Sequence, residues 1–145
     1  MAQVTPQGGT IAGSSSVMQL DAWNWEDAAI KKDDAMHLTW PVTPRLRGGF
    51  GGFSRVGGLT PEALQERTQN LINELEAIFA EAKAYSETEK PAVTNTRLAA
   101  MKHLFDGTQR LFITANAQKD IMAAVKFAKK YNITPVLVGG DDAHL

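Results

Sequence analysis

The C-terminal quarter of the chain has the pattern of a β-α-β unit, which restricts the fold more than any other stretch does. "RLFITA" (residues 110–115) is a short β-rich run, and "PVLVGG" (135–140) is almost wholly apolar, as in a strand covered on both faces. Between them, apolar side chains recur at helical spacing at Ile121, Ala124, Val125 and Ala128. Two strands joined by a helix form a right-handed crossover and lie parallel. The pattern therefore predicts an α/β fold with a parallel sheet.

Asparagines mark both ends of the predicted helix. Asn116 follows the first strand, where its side chain can cap the first helical turn. Asn132 follows the last turn, where asparagine adopts the left-handed conformation more readily than most residues do. Lysines at 126, 129 and 130 lie near the C-terminal end, where the helix dipole favours positive charge.

Two further helices are predicted upstream of this unit. Thr60-Pro61-Glu62 has the residues of a helix start: a hydroxyl cap, a proline and an acid. One apolar stripe then follows, and we expect it to be buried: Leu64, Leu71, Ile72, Leu75, Ile78, Phe79 and Ala82. This helix should end before "SETEKP". Thr94 is the predicted cap of the next helix, whose buried face holds Leu98, Met101 and Phe105 and whose C-terminal turn holds Gly107.

The N-terminal part, residues 1–43, is predicted to be β-rich. "GGTIAG", "SSVMQLDAW" and "AMHLTWP" have the composition of short strands, whereas "NWEDAAIKKDD" fits either one helical turn or another strand. Residues 44–58 hold six of the twelve glycines and are predicted to form a loop. This Arg- and Phe-containing loop could cover a substrate, bind RNA or merely connect two elements; RNA binding is the least favoured, because the motif occurs once. Residues 59–145 then contain the helices and the β-α-β unit.

Composition excludes several classes of protein. The 145-residue chain has a net charge of −1, so no overall field attracts nucleic acid or an anionic membrane. It has no cysteine, which excludes disulfides, thiolate metal sites and cysteine nucleophiles. No apolar run approaches the roughly 20 residues that span a bilayer, and the N-terminus lacks the features of a signal peptide. Localisation stays open between cytoplasm and periplasm.

Candidate substrate-binding residues lie at the C-terminal ends of the two predicted parallel strands, where α/β folds place their active groups. They are Thr114 and Asn116 after the first strand, and Gly139 and Gly140 after the second. The glycine amides could hold an anion. Alternatively, the glycines only turn the chain, with Asp141 or Asp142 capping a following helix, and this second interpretation is the favoured one.

Other polar and aromatic residues give weaker signals. Among the three histidines, alternation places His37 opposite Met36 and Leu38, His103 falls on a helix beside its apolar stripe, and His144 is penultimate. Their spacings match no metal motif, so no complete metal site is expected. Carboxylates near the first strands are expected to be solvated: Asp21, Glu26, Asp27, Asp33 and Asp34. Five large side chains could line a pocket but more often fill a core: Trp23, Trp25, Trp40, Met18 and Met36.

Two stretches of the chain resemble one known family. "VTPQGGTIAGSSSVMQLDAWNWEDAAIKKDDAMHLTWP" resembles a stretch of the imidazolonepropionase-related branch of the amidohydrolase superfamily, and "FITANAQKDIMAAVKFAKKYNITPVLVGGDDAH" resembles the middle of the same proteins. The first stretch is fairly specific, whereas the second is a common β-α-β pattern. The resemblance implies part of a (β/α)₈ barrel belonging to a metal-dependent hydrolase that cleaves C–N bonds in linear or cyclic amides. It also implies zinc or another divalent metal that activates water, and a late aspartate that moves the proton.

The ligand positions of that family fall on residues that are not metal ligands here. The first-strand H-x-H would lie before Met1, and the late aspartate beyond Leu145. The middle-strand histidine of "VHA" falls on Thr114, and the next one, of "EHG", falls on Gly139. Threonine is a poor zinc ligand and glycine has no side chain, so we expect neither a metal site nor catalytic residues in this chain.

The sequence therefore predicts a single partial domain, residues 1–145, forming an internal segment of a longer protein. The full-length protein would act on a small-molecule amide, and the isolated chain would be inactive. The alternative is a non-catalytic binding or assembly module, a half-barrel whose open sheet edge, a liability in isolation, is covered by a copy of itself or by a complementary chain. No nucleic acid and no membrane are expected among its partners.

Overall fold

The computed structural model describes residues 1–42, 61–88 and 95–143. Its strands, in chain order, are β1 (Ala2–Val4), β2 (Ile11–Met18), β3 (Ala29–Thr39), β4 (Arg110–Ala115) and β5 (Pro135–Gly139). Its helices are α1 (Trp25–Ala28), α2 (Pro61–Glu87), α3 (Thr96–Phe105) and α4 (Gln118–Lys130). The predicted glycine-rich loop, 44–58, lies outside the described residues. Within the described residues, none of the helices is long and apolar enough to cross a membrane.

The five strands form one sheet in the order β1-β2-β3-β4-β5. β1, β2 and β3 pair antiparallel, and β3, β4 and β5 pair parallel. The sheet curls into a half-barrel, and the chain is a mixed α/β protein, as the sequence predicted. The parallel part is larger than the β-α-β unit alone, because β3 joins it through the polypeptide that contains α2 and α3.

The N-terminal strands are longer than the sequence indicated. β2 joins two of the predicted short strands into one of eight residues, and β3 extends to eleven. The stretch "NWEDAAIKKDD", which fitted either a helical turn or a strand, contains both: α1 is a single helical turn, and β3 begins directly after it at Ala29. Asn24 fixes the start of α1, because its Oδ1 accepts a hydrogen bond from the Asp27 N–H at 2.8 Å.

The core lies between one face of the sheet and the helices α2, α3 and α4. β3 and β4 contribute alternate side chains to it, as a pleated strand must: Met36, Leu38 and Trp40, with Leu111, Ile113 and Ala115. Phe79 of α2 is fully buried, and its ring lies 4.8 Å from that of Phe127 and 5.5 Å from that of Tyr131. Residues that alternate with the core residues point to the opposite side of the sheet, which we call the second face.

Several predicted helix features are confirmed, and others are wrong; α2, for example, continues to Glu87, two residues into "SETEKP". α2 begins at Pro61, and Gly107 and Asn132 have positive φ angles of 77° and 58° at the ends of α3 and α4. However, Leu71 is 44% exposed, because α2 presents that position to solvent. The α3 cap is Asn95 rather than Thr94: the Asn95 Oδ1 accepts hydrogen bonds from the N–H groups of Arg97 and Leu98.

β5 is not the covered strand that its apolar sequence suggested. Val136, Leu137 and Val138 are 37–39% exposed, although they alternate between the two faces of the sheet. β5 lies at the end of the strand order and pairs only with β4 within the described part of the chain. An edge position leaves one long side of the strand open to solvent, which explains this exposure.

Candidate functional site

The C-terminal ends of β3, β4 and β5 lie side by side. The register pairs Thr39 with Thr114 and Thr114 with Val138, and it also pairs Ala115 with Gly139. The Trp40 N–H donates a hydrogen bond to the Thr114 carbonyl at 3.0 Å, so β3 and β4 remain in register to their last residues. Three consecutive parallel strands therefore bring their following loops to one edge of the sheet, the usual place of active groups in such folds.

A cavity of about 400 Å³ opens at this edge, and we call it the strand-end cavity. Its described lining is Thr39, Trp40, Val42, Thr114, Ala115, Asn116, Ala117, Asp120, Asp141 and Asp142. None of these residues is basic, three are aspartates, and two offer hydroxyl groups. The cavity can therefore accept hydrogen bonds from N–H groups and attract cations, but it is unsuited to an anion.

Asn116 holds the backbone of the turn that follows β5. Its Oδ1 accepts a hydrogen bond from the Gly140 N–H at 3.2 Å, and its carbonyl accepts one from the Asp142 N–H at 3.0 Å. The Gly140 N–H also reaches the Ala115 carbonyl, at 3.0 Å. Asn116 thus joins the end of β4 to the turn after β5. Its predicted role as a helix cap is wrong, because the cap position is Ala117, which makes no side-chain cap bond.

The two glycines are needed for this turn rather than for an anion site. Gly139 and Gly140 have φ angles of 86° and 84°, in the left-handed region that favours glycine. A Cβ atom at Gly139 would collide with Asn116 Oδ1. Because the Gly140 N–H is already shared between two protein oxygens and two aspartates follow it, the alternative of an anion cradle is not supported.

The predicted site residues therefore divide into two pairs. Thr114 and Asn116 line the strand-end cavity, whereas Gly139 and Gly140 shape the turn beside it. Sequence reasoning missed the contributions of Thr39 and Asp120. Thr39 could have been found only by placing β3 in the parallel sheet, and Asp120 only by noting that the first turn of α4 faces the same edge.

A second polar group lies on the second face, centred on Ser15 and His37. Ser15 is fully buried; its hydroxyl donates to the Ala35 carbonyl at 3.2 Å and accepts from Gln3 Nε2 at 2.9 Å. Because the single hydroxyl hydrogen is used there, His37 Nε2, 2.8 Å away, must be the donor to Ser15 Oγ. Burial lowers the pKa of His37, which keeps the ring neutral.

This Ser–His pair is a structural contact rather than a nucleophile and base. A substrate cannot reach a serine with no exposed surface, and the hydroxyl donates to a carbonyl rather than to the imidazole. The pair links β2 to β3, and the His37 ring also packs edge-on against Phe112 of β4, with centroids 5.1 Å apart. The predicted orientation of His37, opposite Met36 and Leu38, is confirmed, since those two residues are in the core.

The remaining histidines and acids form no metal site in the described part of the chain. No group of three His, Cys, Asp or Glu side chains converges there. His103 is exposed at the end of α3 and lies 3.1 Å from Asp106, whose carboxyl has a lowered pKa, mainly because the Thr108 hydroxyl and N–H donate to it. His144 lies outside the described residues.

The early acids and aromatic residues are mostly at the surface. Asp21, Glu26, Asp27 and Asp33 are exposed, as expected for solvated acids, and Asp34 pairs with Lys31. Trp40 and Met36 belong to the core, but Trp23 and Trp25 are 97% and 63% exposed. The expectation that these two tryptophans fill the core is therefore wrong. Trp23 precedes α1 and Trp25 is its first residue, on the connection between β2 and β3, and neither belongs to the core cluster.

Comparison with known proteins gives one informative likeness. No protein-family model matches the chain, and no curated protein matches it. The fold is similar to the crystal structure of an amidohydrolase from Thermotoga maritima MSB8, with a TM-score of 0.65 and 13% sequence identity. The match covers 93% of this chain but 36% of that one, so the chain spans about a third of the length of the structure it matches. At this identity, the likeness concerns the fold alone.

Proposed function

We propose that this chain is the substrate-binding part of an amidohydrolase-like hydrolase acting on the C–N bond of a small linear or cyclic amide. The observation that supports it best is the fold likeness to the Thermotoga maritima amidohydrolase, together with a cavity at the ends of three parallel strands. The similarity of two stretches to the imidazolonepropionase-related branch favours that branch and a (β/α)₈ barrel for the full-length protein.

The residues present do not fit the divalent metal that this family resemblance implies. Thr114 and Gly139 occupy positions where the family has histidines, and the described residues contain no converging group of three ligands. Thr114 Oγ1 is a weak donor atom for zinc, and Gly139 has none beyond its backbone. We therefore assign substrate binding to this chain, and no step of metal-assisted hydrolysis to its residues.

The strand-end cavity can hold an amide by hydrogen bonding. The Asn116 side chain and the Thr39 and Thr114 hydroxyls can bond both the N–H and the C=O of a cyclic amide, and the aspartates can accept its N–H. Trp40 and Val42 supply apolar surface for the rest of the molecule. These groups explain how an amide would be bound and oriented, and no step of bond cleavage is assigned to them.

An NMR titration tests the binding step. Small lactams, hydantoin and linear amides are added to ¹⁵N-labelled chain, and we expect shifts at Thr114, Asn116, Gly139 and Gly140. Thr114→Val removes a hydroxyl at constant volume and should weaken binding several-fold; Thr96→Val, on the exposed first turn of α3, is the matched control. Shifts confined to other regions, or no shifts at millimolar ligand, would contradict the proposal.

A turnover assay tests the second part. We expect the isolated 145-residue chain to hydrolyse none of these amides, with or without added zinc. Steady turnover that depends on the purified chain would show that the described residues, or those outside them, form a complete catalytic centre, and the assignment of binding alone would be wrong.

A non-catalytic assembly module is the second candidate function. The exposure of Val136, Leu137 and Val138 on an edge strand favours it, since such an edge is available for pairing with another polypeptide. It differs from the first candidate in needing no ligand in the strand-end cavity.

A further inference from the structure

The open edge of β5 has a defined hydrogen-bonding pattern. The Gly140 N–H donates to the Ala115 carbonyl of β4, and Ala115 is paired with Gly139. In a parallel ladder, alternate residues of a strand bond to the same neighbour. The N–H groups of Val136 and Val138 therefore also point toward β4. The N–H and C=O groups of Leu137 point the other way, to the open edge.

This pattern makes the edge complementary to itself. A residue that presents both its N–H and its C=O outward can exchange two hydrogen bonds with the same residue of a second copy, across a two-fold axis. With the axis at Leu137, the two β5 strands run antiparallel, and Val136 of one copy lies opposite Val138 of the other. Every side-chain pair near the axis is then apolar.

The charges next to β5 are compatible with the same arrangement. β5 itself has no charged residue, so it lacks the inward or edge lysines that often prevent edge-to-edge pairing. In this register, the turn containing Asp141 and Asp142 faces the chain around Asn132 of the second copy. That segment follows Lys129 at the end of α4, next to Lys130, which is already paired with Glu76 of α2. Acidic and basic segments therefore approach one another twice, once on each side of the axis.

β1, at the other edge of the sheet, is a poorer candidate. It has three residues, against five in β5, and Pro6 follows it closely. A short edge strand limits the number of hydrogen bonds that a partner can form. The two edges therefore differ in length, and β5 offers the longer and more apolar one.

We propose that two copies of this chain associate through β5, whose open edges pair antiparallel about a two-fold axis at Leu137. The pairing joins the described strands of the two sheets into one sheet of ten and places the exposed valine and leucine side chains of each copy beside those of the other. The pairing rests on the second candidate function, the assembly module, because in a closed (β/α)₈ barrel the strand after β5 would occupy the same edge. It does not depend on hydrolysis or on amide binding, so the NMR titration and the dimerisation tests can fail independently.

Cysteine cross-linking tests the position of the axis. The chain has no cysteine, so any disulfide must come from an introduced residue. Opposed residues in a hydrogen-bonded antiparallel pair lie about 5.5 Å apart between Cα atoms, within the range of a disulfide. Leu137→Cys should therefore form a covalent dimer on mild oxidation. Thr134→Cys should not, since the two copies of residue 134 would be roughly 20 Å apart, and Met122→Cys, exposed on α4, controls for random collision.

Sedimentation velocity tests whether the dimer forms without a cross-link. The wild-type chain should show a concentration-dependent monomer–dimer equilibrium. Leu137→Pro removes the outward N–H while leaving the β4 ladder intact, and we expect it to raise the dissociation constant at least about tenfold. Leu137→Lys places two like charges at the axis and should act in the same direction. Met122→Lys is the matched control and should dimerise like the wild type.

Hydrogen exchange supplies a readout that misfolding would not mimic. The Leu137 amide should exchange slowly at high protein concentration and quickly at low concentration, while the Val136 amide stays protected in both. A chain that is monomeric at all concentrations, with a fast Leu137 amide and no Leu137→Cys disulfide, would overturn the proposal and leave the edge to a different polypeptide. A dimer that survives Leu137→Pro and Leu137→Lys would also overturn it, because another surface must then hold the copies together.

Discussion

Single residues decide the local geometry at the strand ends, and Gly139 is the clearest example. Its φ of 86° is costly for any residue with a Cβ, and its surroundings leave no room for one beside Asn116. Sequence reasoning found Gly139 as one of a glycine pair, but not the side chain that faces it. The contact joins β4 to the turn after β5, and only the folded register brings the two together.

We predict that Gly139→Ala destabilises the fold by about 2–3 kcal/mol, from backbone strain and the collision with Asn116. Gly107→Ala is the matched control: it has a similar φ of 77° but nothing within 4 Å of the added Cβ, so only the strain, about 1 kcal/mol, should appear. Urea denaturation measures both. In the Asn116→Ala background, Gly139→Ala should lower the free energy of unfolding by less than it does in the wild type. Fully additive losses in the double mutant would contradict the proposed contact.

His37 makes the stability of the chain depend on pH. Burial lowers its pKa below the usual 6.5, so the unfolded chain binds a proton more readily than the folded chain does. The corresponding stability is complete above pH 6.5 and is lost as the pH falls through that value toward the folded pKa. Thermal denaturation between about pH 8 and 5.5 should show this loss. His37→Gln keeps a donor for Ser15 but cannot titrate, and an unchanged pH profile in that variant would refute the assignment.

Caps and a few large side chains hold whole elements in place. The sequence predicted some of these elements and caps correctly and others wrongly. α4 and β4 were predicted at nearly the observed positions, because periodicity and flanking residues agree there. The cap of α3 was displaced by one residue, since Thr94 and Asn95 have equally suitable side chains and only the backbone chooses between them. β5 was misjudged for another reason: an apolar strand looks the same in sequence whether it lies at the centre or the edge of a sheet.

The cap of α3 gives a prediction at this scale. Asn95→Ala removes the oxygen that accepts from Arg97 and Leu98, and we expect a loss of about 1 kcal/mol in the free energy of unfolding. Asn95→Asp keeps an acceptor and should retain nearly all of the stability. If both variants unfold at the same urea concentration as the wild type, the α3 cap contributes nothing.

Phe79 anchors α2 to the rest of the core. It is fully buried, and its ring contacts those of Phe105, Phe127 and Tyr131. Phe79→Ala should therefore cost about 3–5 kcal/mol. Leu71→Ala, on the exposed side of the same helix, should cost less than about 1 kcal/mol. Equal losses in the two variants, measured by urea denaturation, would mean that α2 is packed differently.

At the scale of the whole molecule, one core joins β3 and β4 to three helices, while β1 and β5 lie at its margins. The sequence indicated the α/β class, because strand, helix and strand follow one another with recognisable limits, whereas the partial barrel was implied only by the family resemblance. It could not indicate that β3 belongs to the parallel part, since that depends on a connection of many residues. The strand-end cavity was predicted only in part for the same reason: Thr39 reaches it through β3.

Hydrogen exchange at low protein concentration should reveal this organisation. Amides of β4, which has a neighbour on both sides, should exchange only through global unfolding, whereas those of β1 should exchange through local opening. The expected difference is at least about a hundredfold in rate, or roughly 2.7 kcal/mol. Uniform protection across all five strands would indicate that the sheet margins are as stable as its centre.

The unequal burial of the three tryptophans also determines what optical spectroscopy can detect. Trp23 and Trp25 are 97% and 63% exposed in the native state, so the largest change of surroundings on unfolding is that of Trp40. The tryptophan fluorescence of the native protein should therefore be red-shifted and readily quenched by acrylamide, as in a partly unfolded protein. A variant with phenylalanine at 23 and 25 would instead fluoresce in the blue, from a lone indole that faces Phe127.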